Sequence, residues 1–236
     1  FPLQTSAGSI FGQLRNWMGI EGVSYIQYDD PGLFAEMIET IGSCIVGTLR
    51  RLLEKARQAG VTFDWAGMWE DMAYSHGPLL GVPAFQAVCV PQYRRISALL
   101  RQYGTDIISL DCDGDPRALY PGWLEAGVNV AFPMEVGTWG NEPVSARKRF
   151  GSQLRIMGGF SKRILAAGRD AIAREIDRLA PLIQQGGFIP FCDHRVPPDV
   201  SLDNYLYYVH QAKRVWGKAL PNLPPTGSPD TSAPCY

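Results

Sequence analysis

Residues 106–134, DIISLDCDGDPRALYPGWLEAGVNVAFPM, hold the pattern on which the fold turns. Asp106 to Leu110 reads as a short strand, Arg117 to Ala126 as a helix, and Val130 to Met134 as a second strand. A strand, a crossover helix and another strand make the unit from which parallel sheets are built. Downstream the alternation continues with a helix over Pro143 to Phe150, a strand over Arg155 to Met157 and a helix over Lys162 to Gln185. A strand over Phe188 to Phe191 and a helix over Leu202 to Val215 complete it.

Upstream, Phe1 to Ala7 is extended, and a helix follows Gly8 and stops at Gly19. Asp29, Asp30 and Pro31 supply a capping carboxylate and a first-turn proline. Behind them Leu33, Met37, Ile38, Ile41, Ile45, Leu49, Leu52 and Leu53 repeat at helical spacing as far as Gly60. Phe63, Trp65 and Gly67 to Trp69 form a strand-like run. A polar loop over Glu70 to Pro78 leads to a helix from Pro83 to Tyr103, which Gly104 closes.

These elements make six strand–helix units, and no dinucleotide-type glycine fingerprint follows any strand. The expectation is an α/β fold of the (β/α)8 TIM-barrel type, incomplete, with about six of the eight units present. The other two units would precede Phe1. The chain opens on Phe1 rather than Met with no signal-like segment, so the expectation is a lost amino terminus. An open barrel has raw edges that call for a cover, such as a second copy. The barrel domain is expected over residues 1–220 and a disordered tail, rich in Pro, Ser, Thr and Gly, over 221–236.

Composition limits the function classes. Of 236 residues 46% are hydrophobic and 19% charged, and Lys+Arg 22 against Asp+Glu 23 leaves a net charge of -1. That balance gives no electrostatic footprint for nucleic acid or an acidic membrane. The longest apolar stretches, such as Ile189 to Cys192 or Val128 to Met134, fall far short of the roughly 20 residues a spanning helix needs, so no membrane role is expected. Five cysteines without a CxxC pair suggest neither a disulfide framework nor a four-thiolate zinc site, and point to a cytoplasmic home.

In a parallel barrel, chemistry sits where strands end and helices begin. Those junctions hold Trp69-Glu70-Asp71, Asp111-Cys112-Asp113-Gly114-Asp115, Glu135, Gly158-Gly159 with Ser161-Lys162, and Cys192-Asp193-His194-Arg195. Asp115, ahead of Pro116, reads as a helix cap. Asp111 and Asp113 are alternate residues at a strand end and project the same way, so they suit metal ligation or a shared proton. His194 precedes the rigid Val196-Pro197-Pro198 turn and suits a general acid, a metal ligand or a hydrogen-bonded structural residue. Cys112 and Cys192 read as buried small residues, His76 and His210 as structural, and Gly158-Gly159 as a weak anion site.

The segment GGFIPFCDHRVPPDVSLDNY, residues 186–205, resembles the closing motif of the uroporphyrinogen decarboxylase superfamily. The similarity extends back through Arg155 to Gly159, Trp123 to Val128, Asp106 to Gly114, Glu70 to Tyr74 and Tyr28 to Pro31. The resemblance implies a TIM barrel and one of two chemistries. One is metal-free removal of carboxylates from porphyrinogen acetate arms. The other is methyl transfer between corrinoid, thiol or methylated substrates, usually with zinc. His194 falls on the decarboxylases' invariant histidine. In the thiol methyltransferases a His-x-Cys-Gly motif and a closing cysteine hold the zinc. Here Asp111-Cys112-Asp113-Gly114 and His194 stand at those places, so a harder cation than thiolate-bound zinc is implied.

The leading expectation is corrinoid-linked methyl transfer from a small methylated compound. Asp111, Asp113 and His194 would hold a divalent metal, zinc or harder, or polarise the leaving heteroatom. Glu70 and Glu135 would flank the pocket, and a corrinoid protein would be the partner. Porphyrinogen decarboxylation and a non-catalytic fragment are the alternatives. The spatial expectation common to the catalytic readings is that both acids and the imidazole meet around one cavity.

Overall fold

The computed structural model describes residues 1–137 and 139–217. The expected tail over 221–236 lies outside them. In chain order the elements begin with β1 (Gln4–Ser6), α1 (Phe11–Asp29), α2 (Pro31–Gln58), β2 (Trp65–Trp69), β3 (Ala73–Tyr74) and β4 (Gly77–Pro78). Then come α3 (Val82–Ala84), a π-helical turn over Phe85–Cys89, α4 (Val90–Gln102), β5 (Ile107–Asp111), α5 (Tyr120–Ala126) and β6 (Val130–Met134). The last are α6 (Pro143–Phe150), β7 (Arg155–Phe160), α7 (Lys162–Ala166), α8 (Arg169–Gln185), β8 (Phe188–Cys192) and α9 (Leu202–Trp216).

Six strands form one sheet in the order β1-β2-β5-β6-β7-β8, and every neighbouring pair is parallel. Among the described residues the sheet does not close, so β1 and β8 each have one strand neighbour. Strand pleating sends alternate side chains to opposite faces. Ala66, Met68, Ile108, Leu110, Ala131 and Ile156 are buried under the helices, as part of the apolar core. Trp65, Gly67, Trp69, Ser109, Asp111 and Phe132 line the other face. In a closed barrel that face is internal. Here Trp69, Ile107 and Ile189 remain exposed on it.

Most element boundaries agree with the sequence pattern, and the departures have local causes. Gly19, at φ +74°, breaks α1, yet the chain resumes helical geometry as far as Asp29, where the pattern predicts none. Gly168 at φ +99° splits the long helix expected over Lys162 to Gln185 into α7 and α8. The loop over Glu70 to Pro78 contains the small β3–β4 hairpin. Asp30 caps α2 as expected, accepting from the Leu33 amide at 2.9 Å.

Helix α2 also corrects the membrane argument. By length and composition it is apolar enough to cross a bilayer, with a mean hydropathy of 1.3 over its best window. Counting apolar runs missed it because Glu36, Glu39 and small or hydroxyl residues such as Gly42, Ser43 and Thr48 break the run at short intervals while the average hydropathy stays high. Its buried stripe of Phe34, Ile38, Leu49 and Leu53 packs toward α1 and α4.

Candidate active site

The ends of β2, β5, β6, β7 and β8 deliver their polar residues to the same end of the sheet. Asp111 is the last residue of β5, and Asp113 follows two residues later on the same side. The β2–β5 register sets Trp69 beside Asp111, and the turn after Trp69 folds back so that the Glu70 and Asp71 amides both donate to the Asp111 carbonyl, at 2.9 and 3.1 Å. Asp71 adopts φ +39°, the described residues' single positive φ outside glycine. Its carboxylate accepts the Asp113 amide at 3.2 Å.

Asp71, Asp111 and Asp113 offer carboxylate oxygens that all lie within 4.8 Å of one another. Of the expected meeting of both acids and the imidazole around one cavity, one contact is present, His194 Nε2 at 3.2 Å from Asp113 Oδ2, while Asp111 alone of the three lines the hollow on the inner face. Arg15, from α1, closes the other side with an ion pair to Asp71 at 3.3 Å and stacks over the Trp69 ring at 5.1 Å. Crowded acids resist ionisation. Burial first, then the charges of Asp71 and Asp113, push the Asp111 carboxyl up to about 7. Burial also raises Asp113, with His194 pulling the other way.

Glu135, just beyond β6, is joined to Lys162 at 2.8 Å and accepts the Gly114 amide at 2.9 Å. Gly114 sits at φ +80°, and a Cβ there would lie 2.8 Å from the Tyr74 backbone, so glycine is what lets this loop reach Glu135. Burial works against the Lys162 charge, but Glu135 and Asp193 outweigh it and raise its pKa. Asp193 is buried, at 1% exposure, and accepts the amides of Val136 at 3.0 Å and Lys162 at 2.8 Å. It ties the loops after β6 and β7 to the residue preceding His194.

Glu70 is placed elsewhere. Its side chain is fully buried, with its two oxygens accepting the Ile10 and Gly12 amides at 2.8 Å each, so it anchors the amino end of α1 instead of flanking the pocket. Burial pushes its carboxyl up to about 7 against those hydrogen bonds. Cys112 and Cys192 are buried, as expected. Asp115 pairs with Arg117 at 2.7 Å, while α5 starts only at Tyr120, so the expected helix-cap role is not what the fold uses. Gly158 and Gly159 lie inside β7 and form no anion-binding loop.

Four residues at the site carry no role in the sequence expectations: Arg15, Asp71, Lys162 and Asp193. The last three stand at strand ends, where position alone flags them. Arg15 arrives from a helix 56 residues earlier, and no local pattern announces it.

The sequence matches the uroporphyrinogen decarboxylase (URO-D) family over residues 1–215. The chain belongs to that family. A uroporphyrinogen decarboxylase from Synechocystis sp. is 19% identical over 194 residues, which are 82% of this chain and 51% of that protein. The chain thus spans about half the length of this curated relative. Among solved structures, a methyltransferase from Methanosarcina mazei superposes with a TM-score of 0.64 at 13% identity, over 91% of this chain and 59% of that one. At that identity the likeness concerns the fold: an α/β arrangement of barrel type, here six-stranded and open.

Proposed function

We propose that this chain contributes to corrinoid-linked methyl transfer from a small methylated compound, with a corrinoid protein as partner in the cytoplasm. The observation that carries the reading is the sign of the charge at the sheet's end. Three carboxylates, Asp71, Asp111 and Asp113, converge there, while Arg15 is paired with Asp71 and Lys162 with Glu135. Acetate-armed porphyrinogens are polyanions, and a cluster of carboxylates repels them. Loss of a methyl group instead needs the leaving heteroatom to be polarised, and nearby acids can do that directly or through a cation.

Asp111 and Asp113, with Asp71 and the imidazole of His194 beside them, form an all-oxygen set with one nitrogen at its edge. Such a set fits a hard divalent cation better than a thiolate-type zinc site. A bound cation would supply Lewis-acid polarisation of the heteroatom. The chain's own residues then have distinct tasks. Asp113 orients His194, and Glu135 with Lys162 holds the Gly114 loop. The open inner face leaves room for a large acceptor to approach in line.

The decarboxylase relative supports a second reading, in which His194 contacts a substrate carboxylate or relays a proton. One experiment separates the two. The full chain is mixed with reduced cobalamin and a panel of methyl donors, and separately with a porphyrinogen. Methyl transfer that falls at least about 100-fold in Asp111→Asn and His194→Ala supports the first. Carbon dioxide release from the porphyrinogen with no methyl transfer overturns it.

A further inference from the structure

Three of the acids gathered at the sheet's end have side-chain partners: Arg15 for Asp71, His194 for Asp113 and Lys162 for Glu135. The side chain of Asp111 has no ion-pair or hydrogen-bond partner among the described residues. Its neighbours in register are aromatic on both sides, Trp69 on β2 and Phe132 on β6. One step down the strands, Gly67 stands beside Ser109 and adds no side chain. These residues, with Trp65, line a cavity of about 540 Å³.

A carboxylate without a side-chain partner, set between two aromatic residues in a half-buried hollow, is a specific chemical environment. The ring faces carry partial negative charge, the carboxylate a full one once ionised, and the rings offer apolar contact. A cation whose charge is spread over methyl groups satisfies all three and costs little to dehydrate. We propose that this cavity binds a methylated organic cation, a quaternary ammonium or sulfonium group, with Asp111 as its counter-ion and Trp69 and Phe132 as its walls.

A divalent metal is the competing occupant. To use all three carboxylates it would have to compete with Arg15 for Asp71 and with His194 for Asp113, whereas a monovalent organic cation needs Asp111 alone. Arg15 stacks on Trp69, but Asp71 balances its charge, so the charge left over in the cavity is negative. As a substrate class the proposal rests on the methyl-transfer reading. Transfer of one methyl to a reduced corrinoid, which supplies the bonding pair, returns the C–N or C–S pair to the heteroatom. The product is a neutral amine or thioether, and the protein need not supply a proton. The charge that Asp111 recognises disappears with the methyl group, which favours release.

The test is calorimetric titration of the full, chelator-treated chain with choline and with its uncharged isostere 3,3-dimethylbutan-1-ol, followed by tryptophan fluorescence. The expected result is choline binding about tenfold or more tighter than the isostere, with the difference abolished in Asp111→Asn and choline weakened about fivefold in Phe132→Leu. Equal affinities, no choline binding, or stoichiometric Mg²⁺ or Zn²⁺ binding that expels choline would each overturn it. Should Asp111→Asn fail to fold, the two ligands on the unmodified chain still decide. Choline binding without demethylation sinks the methyl-transfer reading and leaves the cation site. Transfer from uncharged donors alone, with no choline binding, does the reverse.

Discussion

Replacing Glu70 with glutamine separates an anchoring role from a catalytic one, because the two predict different pH behaviour. Glu70 is fully buried and its carboxyl is pushed up to about 7 from an ordinary 4.5. A raised carboxylate pKa favours the folded state's protonated form. Below pH 4.5 both folded and unfolded chains carry the proton and pH has no effect. Between 4.5 and 7 the unfolded chain has released it and the folded chain has not, so stability falls as pH rises. At about 1.4 kcal/mol per pKa unit, the loss across that window is on the order of 3 kcal/mol. Glutamine cannot ionise, and its amide oxygen accepts from one of the Ile10 and Gly12 amides while its NH2 confronts the other. That mismatch costs about 1–3 kcal/mol at every pH. Urea denaturation from pH 4 to 8 should therefore find Glu70→Gln less stable than the parent at pH 5, with the gap closing or reversing by pH 8. Asp111, raised in the same direction, adds a smaller slope because it is partly solvated. A parent and a variant with parallel pH profiles would refute the assignment of Glu70 as a buried, neutral anchor.

Asp193→Asn removes one of two acceptors from a buried carboxylate that ties two loops together, and should cost about 1–3 kcal/mol in chemical denaturation; a loss under about 0.5 kcal/mol would show the loops are held by other contacts. Lys162→Met leaves Glu135 with the Gly114 amide as its remaining partner. It should lower methyl transfer about tenfold while leaving far-ultraviolet circular dichroism intact, and unchanged turnover would remove the pair from the site. In the folded chain Cys44, which is exposed, should react with a thiol reagent well before Cys89, Cys112 and Cys192; equal rates would contradict their burial.

Much of the site was visible along the chain, because in a parallel α/β fold position relative to a strand end fixes where a side chain is delivered. Asp111 ends a strand, Asp113, Glu135 and His194 each follow one, and all arrive at one end of the sheet. Glu70 follows a strand as well, yet it faces the helix layer. Adjacent residues leave a strand in opposite directions, and the alternation that exposes Trp69 on the inner face directs Glu70 outward beneath α1. Asp71, two residues beyond Trp69, returns to the inner side by the same alternation, and its backbone takes a positive φ that no residue-type pattern near it announces. The break in α1 at Gly19 and the split between α7 and α8 show the same limit. A glycine marks a possible interruption, but whether the helix resumes depends on what its next turn can pack against.

The sequence by itself determined the alternation of strands and helices, the parallel sheet and the set of strand ends from which a site could be built, because periodicity and backbone preference are local properties. Only the tertiary structure decided which acids share a cavity, which are neutralised and by whom. Those facts depend on distances between residues far apart along the chain. Arg15 reaches Asp71, His194 reaches Asp113, and Asp111 is left without a side-chain partner among the described residues, between two aromatic neighbours, as strand register brings three separate strands level.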